Sequence, residues 1–303
     1  MGASSSTDTQ EREQMNGYAD LHIHTTASDG TRTIDEVAQA AKACALRAIA
    51  ITDHDVVAAE LTERVSERHG LELITGVEIK AVFQTPAGEV TGEILGYFVD
   101  PTAGELRRML DALEASRVSR MKKMVELCRE HAGADIVFDE VRAIAQGNIG
   151  RPHLARVLID KGVVGSFEEA FNDLLTKGKA CYWPIDKPDH LDVIEAVHDA
   201  GGVTSLAHPC LMKVQDWEPL LEQLKADGLD AIEVFYPYGA ANGAARGLSM
   251  DPPLMKTKAA GLGFLLSGGS DDHGRDSTKE SLGSIRVDYA HVQALKNALP
   301  ASL

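Results

Sequence analysis

The chain has 303 residues, 44% of them hydrophobic and 25% charged, and a formal net charge of −16. That charge excludes a broad grip on duplex nucleic acid, which needs a basic surface, and no apolar run reaches the ~18 residues of a membrane helix. Four scattered cysteines (Cys44, Cys128, Cys181 and Cys210) form no CxxC pair, which sets aside a disulfide framework or thiolate zinc site and leaves buried thiols in a reducing, cytoplasmic setting.

Residues 1–16 are polar and Ser-rich and read as a disordered tail, without the apolar stretch of a signal peptide. YADLHIH then reads as a strand. TIDEVAQAAKACAL has helical spacing, with Thr33 as cap and Glu36 three residues on, the pattern of a capping box. RAIAITDHD is a buried strand ending in polar residues, and VVAAELTERVSERHG is predicted as a helix closed by Gly70. LELITGVEIKAVF and EVTGEILGYFVD are strands expected to pair.

From 102 to 187 the pattern is almost wholly helical, led by the long amphipathic stretch ELRRMLDALEASRVSRMKKMVELCREH, whose Met, Leu and Val read as packing. Beyond it, HLDVIEAVHDAGG, VTSLAHP, WEPLLEQLKADG, LDAIEVFYP, PPLMKTKAAGLG and FLLSGGSDDHG restore the alternation of helix and strand. Repeated β–α units imply a parallel sheet or an α/β barrel. The predicted architecture is a barrel formed by 17–101 and 188–303, with 102–187 inserted as a helical cap over the substrate.

Five polar clusters sit where a predicted strand runs into a loop: His22, His24 and Asp29; Asp53, His54 and Asp55; Glu78; His208; and Asp271, Asp272 and His273. Barrel active sites are built at such strand ends. His22 and His24, two apart on a strand, leave from one face, and a pair of imidazoles suits zinc, manganese or iron. Carboxylates at Asp29, Glu78 and Asp271 add charge and can bridge ions. Asp272 reads as a group orienting ligand or water, or as an exposed loop acid. His69, His131, His190, His198 and His291 lack partner motifs and read as surface residues.

DLHIHTTASDG, AITDHD, GVEI, LAHP and GSDDHG resemble, in order and spacing, the motifs of the PHP (polymerase and histidinol phosphatase) family. The insertion beginning IGRPHLARVLIDKGVVGSFEEAF resembles the branch acting on nucleoside phosphates, including 3′,5′-bisphosphates. The resemblance implies a distorted (β/α)7 barrel with two or three divalent ions (Mn, Zn or Fe). It places His22 and His24 on a first metal with Glu78 and Asp271. Glu78 would bridge to a second metal with His208, and Asp29, His54 and His273 would hold a third. Glu93 stands where the family usually has a ligating histidine, and it is taken as a ligand of the second metal.

Ions so held would activate water for attack on phosphorus, with Glu78, His208, Asp271 and His273 as the catalytic group. Neither a CxxxxxR loop nor a GxSxG elbow is present. Arg151, His153, Lys187 and Arg275 are the candidate phosphate contacts. Ile185 stands where the family often has Lys, and Tyr182, Trp183 and Tyr236 are candidates for stacking on a base. The expected activity is hydrolysis of a nucleotide phosphomonoester, a nucleoside 3′,5′-bisphosphate or 5′-monophosphate, or alternatively of a cyclic phosphodiester or RNA 5′ ends. A non-catalytic metal module and a carbon–nitrogen hydrolase are the rival classes. The expected partner is a small phosphorylated substrate, with neither membrane nor duplex nucleic acid.

Overall fold

A computed structural model describes residues 17–239, 247–275 and 281–300; the expected disordered tail lies outside them. Seven strands, β1 (Tyr18–Ile23), β2 (Ala48–Ile51), β4 (Leu71–Thr85), β5 (Gly88–Tyr97), β6 (Val203–Leu206), β7 (Ala231–Phe235) and β8 (Leu265–Gly268), run round a nearly closed barrel. The sheet order is β8-β7-β6-β5-β4-β2-β1. The seam between β8 and β1 is bridged at Ile23 and Asp272, where His24 N–H donates to the Asp272 carbonyl at 2.9 Å. A short β9 (Val287–Asp288) pairs with the start of β1.

The distortion has a specific source. β4 and β5 form a long antiparallel hairpin, from Gly76 opposite Tyr97 to Thr85 opposite Gly88, and β5 is also antiparallel to β6. No helix separates β4 from β5, so one strand of the barrel runs against the rest.

Helix α1 (Ile34–Ala43) begins at the predicted capping box: Thr33 Oγ1 accepts from Glu36 N–H, and Glu36 Oε2 accepts from Thr33 N–H. The helix predicted from 56 to 70 is absent. Residues 65–68 instead form β3 (Val65–Arg68), antiparallel to β4. The turn is His69-Gly70, at φ 54° and 79°; two successive left-handed residues suit a tight hairpin. Gly70 is therefore a turn residue rather than a helix stop.

Helix α2 (Gly104–His131) opens the insertion. Its first half buries Leu106 and Leu113 in the barrel's apolar cluster. Its second half, from Met121 to Cys128, packs into a separate cluster with Leu154, Val157, Leu158 and Leu175. Helices α3 (Phe138–Ile144) and α4 (Arg151–Asp160) follow, then a turn Phe167–Glu169 that continues as a π-helix over Ala170–Leu175. The chain rejoins the barrel where Pro188 C=O accepts from Val82 N–H.

Helices α5 (His190–Asp199), α6 (Trp217–Ala226) and α7 (Pro252–Gly261) pack outside the sheet. A final helix, α8 (Tyr289–Asn297), not anticipated from the sequence, places Tyr289, Val292 and Leu295 against Leu21 and Ala48. Cys128, Cys181 and Cys210 are buried and Cys44 half-buried, all as free thiols. No helix among the described residues is long and apolar enough to cross a membrane.

Candidate metal centre

The barrel mouth gathers the strand-end residues. His22 is the inward residue of β1 and His24 follows its end; both are fully buried, as are Glu78 on β4 and Asp271 after β8. Asp55, His208 and Asp271 have positive φ, a conformation that costs a non-glycine residue of order 1–3 kcal/mol and persists only where the surroundings impose it. Asp53 fixes the loop after β1. Its carboxylate accepts from Thr25 N–H at 2.7 Å, Thr25 O–H at 2.6 Å and Ser28 O–H at 2.6 Å, and so positions Asp29.

The imidazoles and carboxylates face one another across a small space. His22 Nε2 lies 3.4 Å from Glu78 Oε1 and 3.6 Å from Asp271 Oδ1. His24 Nε2 lies 3.4 Å from Glu78 Oε2 and 3.2 Å from Asp271 Oδ1. Asp29 Oδ1 is 3.5 Å from His273 Nε2 and 3.9 Å from His54 Nε2. Donors 2.0–2.2 Å from one ion stand roughly 3–4 Å apart, the separation found here. The ligand atoms form convergent groups: His24 with Asp29, His54 and His273; His22 with His208 and Asp271; His22 with His24 and Glu78; and His54 with Glu78 and Glu93. All nine residues read as ligands in the sequence are thus brought together, with His24 also facing the outer group.

The donor set fits divalent ions by a further test. His22 Nε2 and both nitrogens of His24 are buried without a hydrogen-bond partner, beside Glu78 Oε2, which meets His54 Nδ1 at 2.8 Å. Buried polar atoms are seldom left so, and three gathered beside a carboxylate describe a cradle for a cation. Burial, reinforced by His273 and His54, drives the His24 pKa down to about 3, keeping that imidazole in the neutral form a metal takes. Burial opposes charge on His22, but Glu233, Glu78 and Asp271 outweigh it and raise its pKa well above the ordinary value.

Glu233 was missed in the sequence. Fully buried on β7, it meets His22 Nδ1 at 3.0 Å and accepts from His208 N–H at 2.6 Å. A carboxylate behind a ligating histidine fixes its tautomer and raises its basicity. The available signal was an acid in the midst of an apolar strand. Tyr236, read as a stacking candidate, is instead buried and donates to Asp271 Oδ2 at 2.8 Å. Asp272 is not an exposed acid: it is buried and accepts from Arg32, Gly274, Ser281 and Leu282, pinning the loop after β8 that carries Asp271 and His273. His190, read as a surface residue, is buried, stacks on Phe83 and reaches Asp227 at 2.8 Å.

Glu93 stands at the edge of the cradle, with Oε2 3.4 Å from His208 Nε2 and Oε1 2.5 Å from Lys80 Nζ. Burial disfavours its charge, but Lys80, together with His208 and His54, outweighs that effect and the pKa falls to about 2.

The insertion closes over one side of the centre. Asn148 donates to the carbonyls of His54 and Asp55, and Arg117 pairs with the Asp55 carboxylate. Between insertion and barrel lies a cavity of about 180 Å³, bordered by Asp29, His54, Glu93 and Lys80 on the metal side and by Arg117, Arg120, Arg151 and Lys187 from the insertion. Tyr182 and Ile185 also line it, whereas Trp183 is exposed. Of the four candidate phosphate contacts, Arg151 and Lys187 border this cavity. His153 does not border the cavity; its Nδ1 accepts from Gly150 N–H at the start of α4. Arg275 is exposed, sits near Glu36 and borders neither this cavity nor the groove beside it. Arg117 and Arg120 were read only as parts of a packing helix. On the other flank, an open groove of about 610 Å³ is bordered by Lys177, Lys213, His208 and Asp271.

The comparisons agree with this geometry. The PHP domain family matches residues 20–175. The chain belongs to that family. Among PHP relatives, it is 33% identical over 218 residues to a 5′-3′ exoribonuclease of Haemophilus influenzae, covering 71% of this chain and 78% of that one. It is 32% identical to a 3′,5′-nucleoside bisphosphate phosphatase of Chromobacterium violaceum, over 63% of this chain and 66% of that one. A phosphoribosyl 1,2-cyclic phosphate 1,2-diphosphodiesterase of Eggerthella lenta is 29% identical, with 84% and 94% covered. A solved structure from Bifidobacterium adolescentis, described as a metal-dependent phosphoesterase, superposes with a TM-score of 0.79 at 31% identity, covering 93% and 96%.

Proposed function

We propose that this metal-dependent phosphoesterase removes a phosphate monoester from a nucleotide that carries a second phosphate, the nucleoside 3′,5′-bisphosphate class. One observation carries the reading. Arg120, Arg151 and Lys187 face the cavity beside the metal centre, and among the described residues none forms an ion pair with a carboxylate. Burial, and then the neighbouring Arg151, lowers the Arg120 pKa to about 10, and burial also lowers that of Lys187, aided by Lys80 and Arg120. Cations crowded together with no carboxylate bonded to them mark a place for an anion, and Arg suits bidentate contact with phosphate. A second phosphate held there leaves the scissile one at the metal centre.

His22, His24, Asp29, His54, Glu78, His208, Asp271 and His273 would hold two or three ions, with Mn, Zn and Fe all suited to mixed nitrogen and oxygen donors. When bound, such ions supply Lewis acidity toward water and the phosphoryl group. The protein's own share is placement. Glu233 orients His22, Tyr236 orients Asp271, and Arg120, Arg151 and Lys187 hold the substrate against rotation.

A second reading, cleavage of a phosphodiester at an RNA 5′ end, draws on the open groove opposite the cavity: a diester needs room for chain on both sides. Purified protein with Mn2+ and a panel of bisphosphate, monophosphate, cyclic and 5′-phosphorylated oligoribonucleotide substrates separates the two. Inorganic phosphate released fastest from the bisphosphate is expected. Nucleotides released from RNA without action on the bisphosphate would move the assignment to the diester, and inert esters with every metal would reject both.

A further inference from the structure

Lys80 differs from the other cations of the site. It lies two residues from Glu78 on β4, so both side chains leave the same face of the strand. Its ammonium is 2.5 Å from Glu93 Oε1, while Glu93 Oε2 is 3.4 Å from His208 Nε2. The Lys80–Glu93 pair borders both the cavity under the insertion and the open groove, and therefore stands in the wall between them. Glu93 also converges with His54 and Glu78 on a common point, their ligand atoms within 4.8 Å of one another. One carboxylate is thus aimed at two positions, a cation cradle and a resident ammonium. An ammonium and a divalent ion on one carboxylate repel each other in a partly buried site, so each weakens the other's hold on Glu93.

We propose that Lys80 is a positioning residue that competes with a divalent cation for Glu93. The ammonium holds Glu93 in the absence of an ion at the His54–Glu78–Glu93 position, and filling that position displaces Lys80 into the wall shared by cavity and groove. The affinity of the weakest-bound ion is set by this exchange. The inference rests on the metal-dependent reading of the site, and its test does not use turnover.

Mn2+ titration by calorimetry, with metal content measured after gel filtration, gives the readout. Lys80→Met is expected to tighten the weakest Mn2+ by about tenfold or more, while Lys80→Arg stays near the unmodified protein. Glu93→Gln should abolish that binding step and, in the double variant, the gain from Lys80→Met. Unchanged or weaker Mn2+ binding in Lys80→Met, with native circular dichroism, overturns the proposal. Should that variant fold poorly, Lys80→Gln gives the same reading. A protein that binds no divalent ion in any form would overturn the metal reading along with it, a result distinct from the loss of the Lys80 effect alone.

Discussion

The floor of the barrel mouth and the roof supplied by the insertion solve different problems. On the floor, short side chains leave β-strands and strand ends, are almost wholly buried, and are held from behind by Glu233, Tyr236 and Asp53. On the roof, long Arg and Lys side chains reach from helices and loops, anchored by backbone carbonyls: Arg120 on Trp183 and Arg151 on Leu175. Sub-ångström placement of charge near the reacting bond needs the first arrangement, and adjustable capture of an anion needs only the second.

Breaking the floor should have the largest effect. Glu78→Gln, which touches His22, His24, His54 and His208 at once, is expected to lower kcat by about a thousandfold. It should also abolish the rise in Tm that Mn2+ gives; phosphate-release assays and thermal melts with and without Mn2+ check both. One layer back, Glu233→Gln should weaken Mn2+ binding by about 10- to 100-fold while the fold persists, read by metal titration. On the roof, Arg151→Ala should raise KM for a bisphosphate by about tenfold, the value of one charge-assisted contact. It should leave kcat and the KM for a monophosphate nearly unchanged. An equal loss on both substrates would erase the distinction between floor and roof.

The same contrast decides how much was legible in the sequence. His22 and His24 stood out because a strand's twofold period puts alternate residues on one face, and acids at the other strand ends completed the pattern. Glu233 was hidden because it ligates nothing and lies within an apolar strand, where its charge was the only sign. Arg117 and Arg120 lie among many charged residues on α2, and helical spacing does not reveal which of its faces meets a cavity formed by distant loops. The hairpin at His69-Gly70 was mistaken for a helix end because Gly suits both, and only the pairing of β3 with β4 decides between them. The seven-strand barrel was expected from the family resemblance, and β4 and β5 were expected to pair, but the direction of β5 is read only from the structure.

Helix α2 belongs to both regions. At 28 residues it is about 42 Å long, rooted in the barrel at Leu106 and Leu113 and embedded in the insertion from Met121 onward. The span between those anchors carries Arg117 and Arg120. The gap between the cradle and the cations facing it is therefore spanned by a single stiff strut, and under the proposed bisphosphate reading that strut sets how far apart the two phosphates would be held.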